Sequence, residues 1–411
     1  MFKFFSNYSL AKLLVCTLIV LSPLKVASAS AELLPLTTEP YLVVDTTSSK
    51  IVARNRIFVR WAPASLTKLM TAYTVFRALK LQHLAMNSPV RISEAALEQP
   101  PSKMGFPIGT VLTIDSALKI IMVKSANDVS VALGEAVAGS EEQFVKFMNA
   151  HARRLGMLDS RFTNPHGLHH PDQFTTARDM ARLALAIGRE FPEYAEYFDI
   201  PALRVGKRRL RNHNALLRLF DGTNGMKTGY VCASGFNVVV RTKRNDRELV
   251  AVVLGHASGL KRSVAAAEVL SAGFNTSANA FRPTLDTVLK PEHVSDLPVD
   301  ITRRICPRKY PARVVPDTRP PEAPSSQEFD GIDTKVLEQR AEANANPLRN
   351  LPIPEKRPFF NFKAGMAALG SARQILEPVK VKKEPGRKKE PSLKEKAKKL
   401  LKPRNDLRGD V

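Results

Sequence analysis

Between Pro40 and Thr276 the spacing of apolar residues changes character twice, and that succession fixes the fold class. Tyr41-Leu42-Val43-Val44-Asp45, the polar stretch Thr46 to Lys50 and Ile51-Val52-Ala53 read as strand, turn and strand. Helical periods then take over. Ser65 to Leu79 buries Leu66, Leu69, Met70, Tyr73, Val75, Phe76 and Leu79; Ile114 to Met122, Val129 to Ala138 and Thr176 to Ile187 follow, the last opened by a Thr-Thr cap. Strand periods return at Phe236 to Thr242 and Glu248 to Gly255, joined by a tight turn at Arg244-Asn245-Asp246. Ser263 to Phe274 is apolar enough to form a helix covering that hairpin. Strands, helices, then strands predict an α+β fold, an antiparallel sheet flanked by helices plus a helical subdomain, and not a βαβ repeat.

The two ends differ from this middle. Met1 to about Ala31 has lysines at Lys3 and Lys12, an apolar run from Leu13 to Leu21, and the small residues Ala27-Ser28-Ala29-Ser30-Ala31. That is the pattern of a cleaved signal peptide, and the run is too short to span a bilayer comfortably. The expected organisation is a leader over 1–31, a folded domain over 32–280, an extension over 281–316 with a strand or two in Val294 to Arg304, and a disordered Pro/Lys-rich tail over 317–411. Phe359 to Leu376 and Leu393 to Leu401 each put apolar residues on one helical face within that tail.

Net charge is +23, from 62 Lys+Arg against 39 Asp+Glu. Thirteen basic and four acidic residues between Lys380 and Arg408 supply a net +9 of it. An exported chain meets anionic lipid and wall polymer, not nucleic acid, so the charge reads most simply as a solvated tail, with an anionic membrane surface or wall polymer as its alternative partner. Once Cys16 leaves with the leader, Cys232 and Cys306 remain; two cysteines make no disulfide framework, their pairing is open, and Cys232 reads as a small packing residue.

Three short motifs carry chemistry. Ser65-Leu66-Thr67-Lys68 opens a helix, where positions three apart share a face, so a hydroxyl and an amine lie side by side. Serine needs a base, and lysine becomes one when burial or neighbouring cations lower its pKa. Ser125-Ala126-Asn127 falls between two helices, a hydroxyl to relay a proton and a carboxamide to hold a peptide amide. Lys227-Thr228-Gly229 enters a strand expected to continue through Phe236, presenting a cation and a hydroxyl to a carboxylate beside a glycine that lets substrate backbone approach. Each motif alone is weak. Their order, with about sixty and then about a hundred residues between them, is specific.

With these motifs, the stretches Asn164-Pro165-His166-Gly167-Leu168, Thr175-Thr176-Ala177-Arg178-Asp179-Met180 and Asn212-His213-Asn214 make the chain resemble the D-alanyl-D-alanine carboxypeptidases, low-molecular-mass penicillin-binding proteins of peptidase family S11, over roughly Tyr41 to Phe274. The resemblance implies a β-lactamase/transpeptidase-like fold and a cofactor-free serine hydrolase acting on peptidoglycan stem peptides and acylated by β-lactam antibiotics. It implies Ser65 as nucleophile, Lys68 as base, Ser125 as proton relay, and Asn127, Lys227, Thr228, Gly229 and Arg262 around the substrate. Backbone N–H groups of Ser65 and Tyr230 would form the oxyanion hole. Two departures stand out: Val231 replaces a threonine usual after Lys-Thr-Gly-Tyr, and no run of strands foreshadows the family's C-terminal β-domain.

Rival readings are a D,D-endopeptidase with the same motifs and a wall-binding scaffold that turns over poorly. A class A β-lactamase is disfavoured, because no Glu between Ser125 and Lys227 has an Asn four residues on. His166, His169 and His170 lack the spacing and third ligand of a zinc site, so no metal is expected. The basic run Arg204 to Arg211 reads as a solvent-facing hairpin.

Overall fold

The computed structural model describes residues 38–276 and 281–307. The leader, the tail beyond residue 307 and its two amphipathic segments lie outside the described residues. In chain order the elements begin with strands β1 (Tyr41–Asp45) and β2 (Ile51–Asn55), then helix α1 (Thr67–Lys80). Short strand β3 (Pro89–Arg91), helix α2 (Glu94–Glu98) and strand β4 (Val111–Thr113) lead into helices α3 (Ile114–Val123), α4 (Asn127–Ala138), α5 (Glu141–Arg154) and α6 (Ala177–Glu190). Strands β5 (Ala202–Val205) and β6 (Arg208–Arg211) and the one-turn helix α7 (Leu216–Leu219) precede β7 (Thr223–Val231), β8 (Gly235–Arg244), β9 (Arg247–His256), helix α8 (Gly259–Asn275) and the short α9 (Thr302–Ile305).

Five strands form one antiparallel sheet in the order β2-β1-β9-β8-β7, which leaves β7 on an edge. Side chains alternate across a strand, and here both faces are covered. Tyr41, Val43, Leu249, Ala251 and Val253 pack on one side against Ala266, Val269 and Leu270 of α8. Leu42, Val44, Val250, Val252 and Leu254 join the larger core on the other side, with α1, α3, α4 and α6. The observed architecture is the expected α+β arrangement of antiparallel sheet, flanking helices and helical subdomain.

Helix α1 is enclosed on every side through Phe76, not along one stripe as its apolar pattern predicts. Its polar residues must therefore find partners inside the protein. Thr71 donates to the Pro165 carbonyl at 2.6 Å and Thr74 to that of Met70 at 2.9 Å. Lys68 is the one cation on the buried part of this helix, and its partners make the site described below.

Other helices start where side-chain caps permit. Thr113, Ser140, Thr176 and Ser258 each accept a hydrogen bond from the N–H three residues on. Residues 281–307 run back over the domain as a strap. Arg178 and Arg182 donate to the Leu285 carbonyl, Lys290 and Arg60 pair with Asp159, and the N–H groups of Val299 and Ile301 bond the carbonyls of Arg60 and Ala233. Val294 to Arg304 holds no full strand: Val299 makes a single parallel bridge with Trp61, and the chain then turns into α9. Cys232 and Cys306 form a disulfide, so Cys232 is a covalent staple and not a packing residue; it ties the strap to the β7–β8 turn.

Candidate active site

Ser65 sits in a single 3-10 turn, Ala64–Leu66, at the mouth of α1. Ala64 takes a left-handed φ of 49°, and Gly167 packs so tightly that a Cβ there would overlap the Ala64 carbonyl. The loop Asn164–Leu168 thereby clamps the turn that presents the serine. Its own shape comes from Asn164, whose Oδ1 accepts the Gly167 N–H at 2.7 Å and whose amide donates to the Leu168 carbonyl.

One turn along, the Lys68 ammonium is fully enclosed, 3.2 Å from Ser65 Oγ, 2.8 Å from Asn127 Oδ1 and 2.6 Å from the His166 carbonyl. No carboxylate pairs with it directly. Burial, then the positive charge of Lys227, pulls its pKa well below the usual lysine value, with Asp128 opposing weakly. That is the condition under which lysine serves as a base toward a neighbouring hydroxyl.

Ser125 lies at the break between α3 and α4 with φ of 61°, a conformation that aims its side chain into the cleft. Its Oγ accepts from Lys227 Nζ at 2.9 Å. Lys227 also donates to the Thr228 carbonyl, and burial beside Arg262 lowers its pKa to about 7. Arg262 is 6% exposed; it bonds Ser263 Oγ, leaves its Nε without a partner and, among the described residues, pairs with no carboxylate. A buried guanidinium in that state is poised for an anion.

Asn127 departs from its expected place: it opens helix α4 instead of sitting in the loop. Its Oδ1 accepts a hydrogen bond from Lys68 Nζ and its Nδ2 donates to the Pro100 carbonyl at 2.8 Å, so only one amide N–H is left for substrate. The Lys-Thr-Gly strand ends at Val231, and the turn Cys232–Ser234 separates it from β8, so it does not run on through Phe236. Gly229 has a packing reason beyond access for substrate: a Cβ there would stand 2.9 Å from the Pro63 carbonyl and 3.1 Å from the Ser65 nitrogen. Edge strand β7 thus lies directly against the serine turn, putting Tyr230, next along it, beside Ser65. The Tyr230 ring is half-exposed and lies over Phe236 at 4.3 Å.

These residues line one cleft of about 470 Å³: Ser65, Ser125, Asn127, Thr228, Gly229, Tyr230 and Arg262 share it with Val231 and His213. Residues 25–258 match the peptidase S11 family, described as D-alanyl-D-alanine carboxypeptidase. The chain belongs to that family.

Among S11 relatives, the chain is 33% identical over 241 residues to D-alanyl-D-alanine carboxypeptidase DacC of Escherichia coli (strain K12), covering 57% of this chain and 60% of that protein. It is 30% identical over 221 residues to a D-alanyl-D-alanine endopeptidase of Pseudomonas aeruginosa, covering 52% of this chain and 69% of that one. Penicillin binding protein 5 from Haemophilus influenzae superposes with a TM-score of 0.56 at 32% identity, over 58% of this chain and 71% of that structure. The chain spans about 60% of the length of the curated carboxypeptidases it matches. The fold is therefore that of the penicillin-binding proteins.

The structure brings the three motifs into one cleft, and sequence reasoning missed two supports. Asp128, fully buried, takes the N–H groups of Met104 and Gly105 and so shapes the loop whose Pro100 and Ser102 carbonyls hold Asn127. His213, at the cleft rim, was visible only as part of a motif with no assigned role. Among the described residues no group of three or more His, Cys, Asp or Glu is placed to hold a metal.

Proposed function

We propose that this chain is a serine-type D,D-carboxypeptidase that removes the terminal D-alanine from peptidoglycan stem peptides. The observation that carries this is the enclosed Lys68 amine, 3.2 Å from Ser65 Oγ and weakened as a cation by burial and Lys227. Arg262, Lys227 and Thr228 hold the substrate's terminal carboxylate, and the N–H groups of Ser65 and Tyr230 receive the carbonyl oxygen. Ser65 Oγ bonds the penultimate carbonyl carbon as its proton passes to Lys68. The C–N bond then breaks, and D-alanine leaves with a proton relayed through Ser125. Water hydrolyses the ester and restores the serine proton. A β-lactam mimics the acyl donor and stops at the ester stage.

Purified full-length protein should release D-alanine from a pentapeptide and take up a fluorescent penicillin; Ser65→Ala should do neither. Lys68→Arg keeps the charge but cannot act as a base, so acylation should vanish while the fold persists. Normal labelling of either variant overturns these roles.

An endopeptidase reading has the support of the Pseudomonas aeruginosa relative, of which this chain covers a larger share than of the first carboxypeptidases. Conversion of purified crosslinked dimers to monomers, with no free D-alanine, would select it. The leader pattern of residues 1–31 and the Cys232–Cys306 disulfide both fit export to the periplasm. The basic stretch Lys380 to Arg408 fits salt-sensitive attachment to an anionic membrane or wall polymer.

A further inference from the structure

The β5–β6 hairpin carries Arg204, Lys207, Arg208, Arg209 and Arg211, all exposed, with no acidic residue from Ala202 through Asn214. Arg204 stands directly opposite Arg209 in the antiparallel register, and Val205 opposite Arg208. Like charges directly opposed on a two-stranded ribbon destabilise it, so the arrangement works against the hairpin's own stability. Nothing nearby relieves it. None of the five cations makes an ion pair or side-chain hydrogen bond among the described residues. Arg60, Arg154, Arg178, Arg182, Arg241, Arg247 and Arg304, by contrast, are each paired with a carboxylate.

The base of this ribbon is fixed. Ala202 and Leu203 are buried, the Asn212 amide donates to the Ile200 carbonyl at 2.9 Å, and the Asn214 amide donates to the Gly225 carbonyl on β7 at 3.1 Å. Between those asparagines, His213 lines the cleft with Thr228 and Arg262. The unneutralised arm is thus planted at the rim of the active site, two residues from its lining, and it extends the positive field of Lys227 and Arg262 outward.

We propose that the β5–β6 hairpin is an exosite for polymeric peptidoglycan, binding carboxylates of stem peptides that neighbour the one in the cleft. This rests on the peptidoglycan reading above and adds a preference for polymer over isolated peptide. A lipid surface fits less well: Val205 and Leu210 are only half-exposed, so the arm offers no protruding apolar side chain to insert into a bilayer.

The test uses the full chain and its Arg204→Gln/Arg209→Gln/Arg211→Gln variant, with the tail intact in both. D-Alanine release is measured on intact sacculi carrying pentapeptides and on a short, singly charged D-Ala-D-Ala peptide, at low and high salt, beside co-sedimentation with sacculi and with anionic liposomes. Charge steering of this kind acts on association, so the variant should lose roughly ten-fold in kcat/KM on sacculi at low salt. It should match the parent on the short peptide, and the difference should shrink as salt rises. Equal loss on both substrates, or none on sacculi, overturns the exosite. So does a variant that loses liposome binding while keeping sacculus binding, which would make the arm a membrane contact. A parent that releases no D-alanine and takes up no penicillin defeats the functional reading instead, and sacculus co-sedimentation still decides on the exosite.

Discussion

The Lys227 ammonium donates to Ser125 Oγ across 2.9 Å, joining the edge strand of the sheet to the break between two helices of the neighbouring subdomain. The cleft is lined from both of these layers. Any shift of β7 relative to α4 therefore changes the catalytic geometry before it changes the fold.

Both enclosed lysines tie activity and stability to pH. Acylation should rise as Lys68 gives up its proton and fall as Lys227 does, near its pKa of about 7, so that kcat/KM follows a bell. Stability should respond as well. The Lys227 pKa is lower folded than unfolded, so the unfolded chain binds more protons between about 7 and the ordinary value of 10.5. Stability must then increase with pH through that window. Melting temperatures at about pH 7 and pH 9 check this; a Lys227→Met variant should show a shallower rise, and a parent no more stable at the higher pH removes Lys227 as the source.

Gly229→Ala should leave the protein folded and cripple acylation. The added methyl meets the Pro63 carbonyl and the Ser65 nitrogen, and the easiest relief is for β7 to retreat from the serine. Misplacement of reacting groups by about 1 Å costs on the order of a hundred-fold. Penicillin acylation rates measure the loss, and circular dichroism checks the fold. A rate within two- or three-fold of the parent, roughly, would mean that the strand is not held at that distance.

Arg262→Ala should raise KM for a free D-Ala-D-Ala carboxylate far more than it lowers kcat. Loss of a charge-assisted bond to a buried carboxylate corresponds to about ten- to a hundred-fold. The same peptide with its terminal carboxylate amidated should be poor for the parent and no worse for the variant. If both enzymes lose equally on amidation, Arg262 does not contact that group.

Reduction of Cys232–Cys306 should lower the melting temperature. The bond closes a loop over 74 positions, for which chain entropy gives a stabilisation of about 4 kcal/mol as an upper bound. Cys232→Ser/Cys306→Ser should melt lower and ignore reductant. An unchanged melting point on reduction would mean that the hydrogen bonds of Val299 and Ile301 hold the strap unaided.

The candidate site was legible where residue type and spacing are both restrictive. Ser65 and Lys68 share a helix face, and Lys227 follows at the family distance; the structure brings all three together with Ser125. Helix α5 went unremarked although Ser140 caps it and Phe144, Met148 and Ala152 recur every four residues, because its exposed charges dilute the apolar signal. The loop behind Asn127 has no period at all; its shape comes from Asp128 gathering N–H groups, which only three-dimensional contact reveals. Cysteine pairing was invisible for the same reason. The end of β7 was misjudged because the turn signal Ser234-Gly235 went unread: Gly235 takes a left-handed φ of 64° and starts the next strand.

The strap gives the molecule a fixed point of departure. Cys306 lies against the hydroxyl of Tyr230, whose ring borders the cleft, and Ile301 and Ile305 lie over Gly235 at the same turn. The described chain therefore ends beside the lip of the cleft and not on the far side of the sheet. Moving the staple to another edge of the domain would carry that end away from the cleft without altering a single residue that lines it.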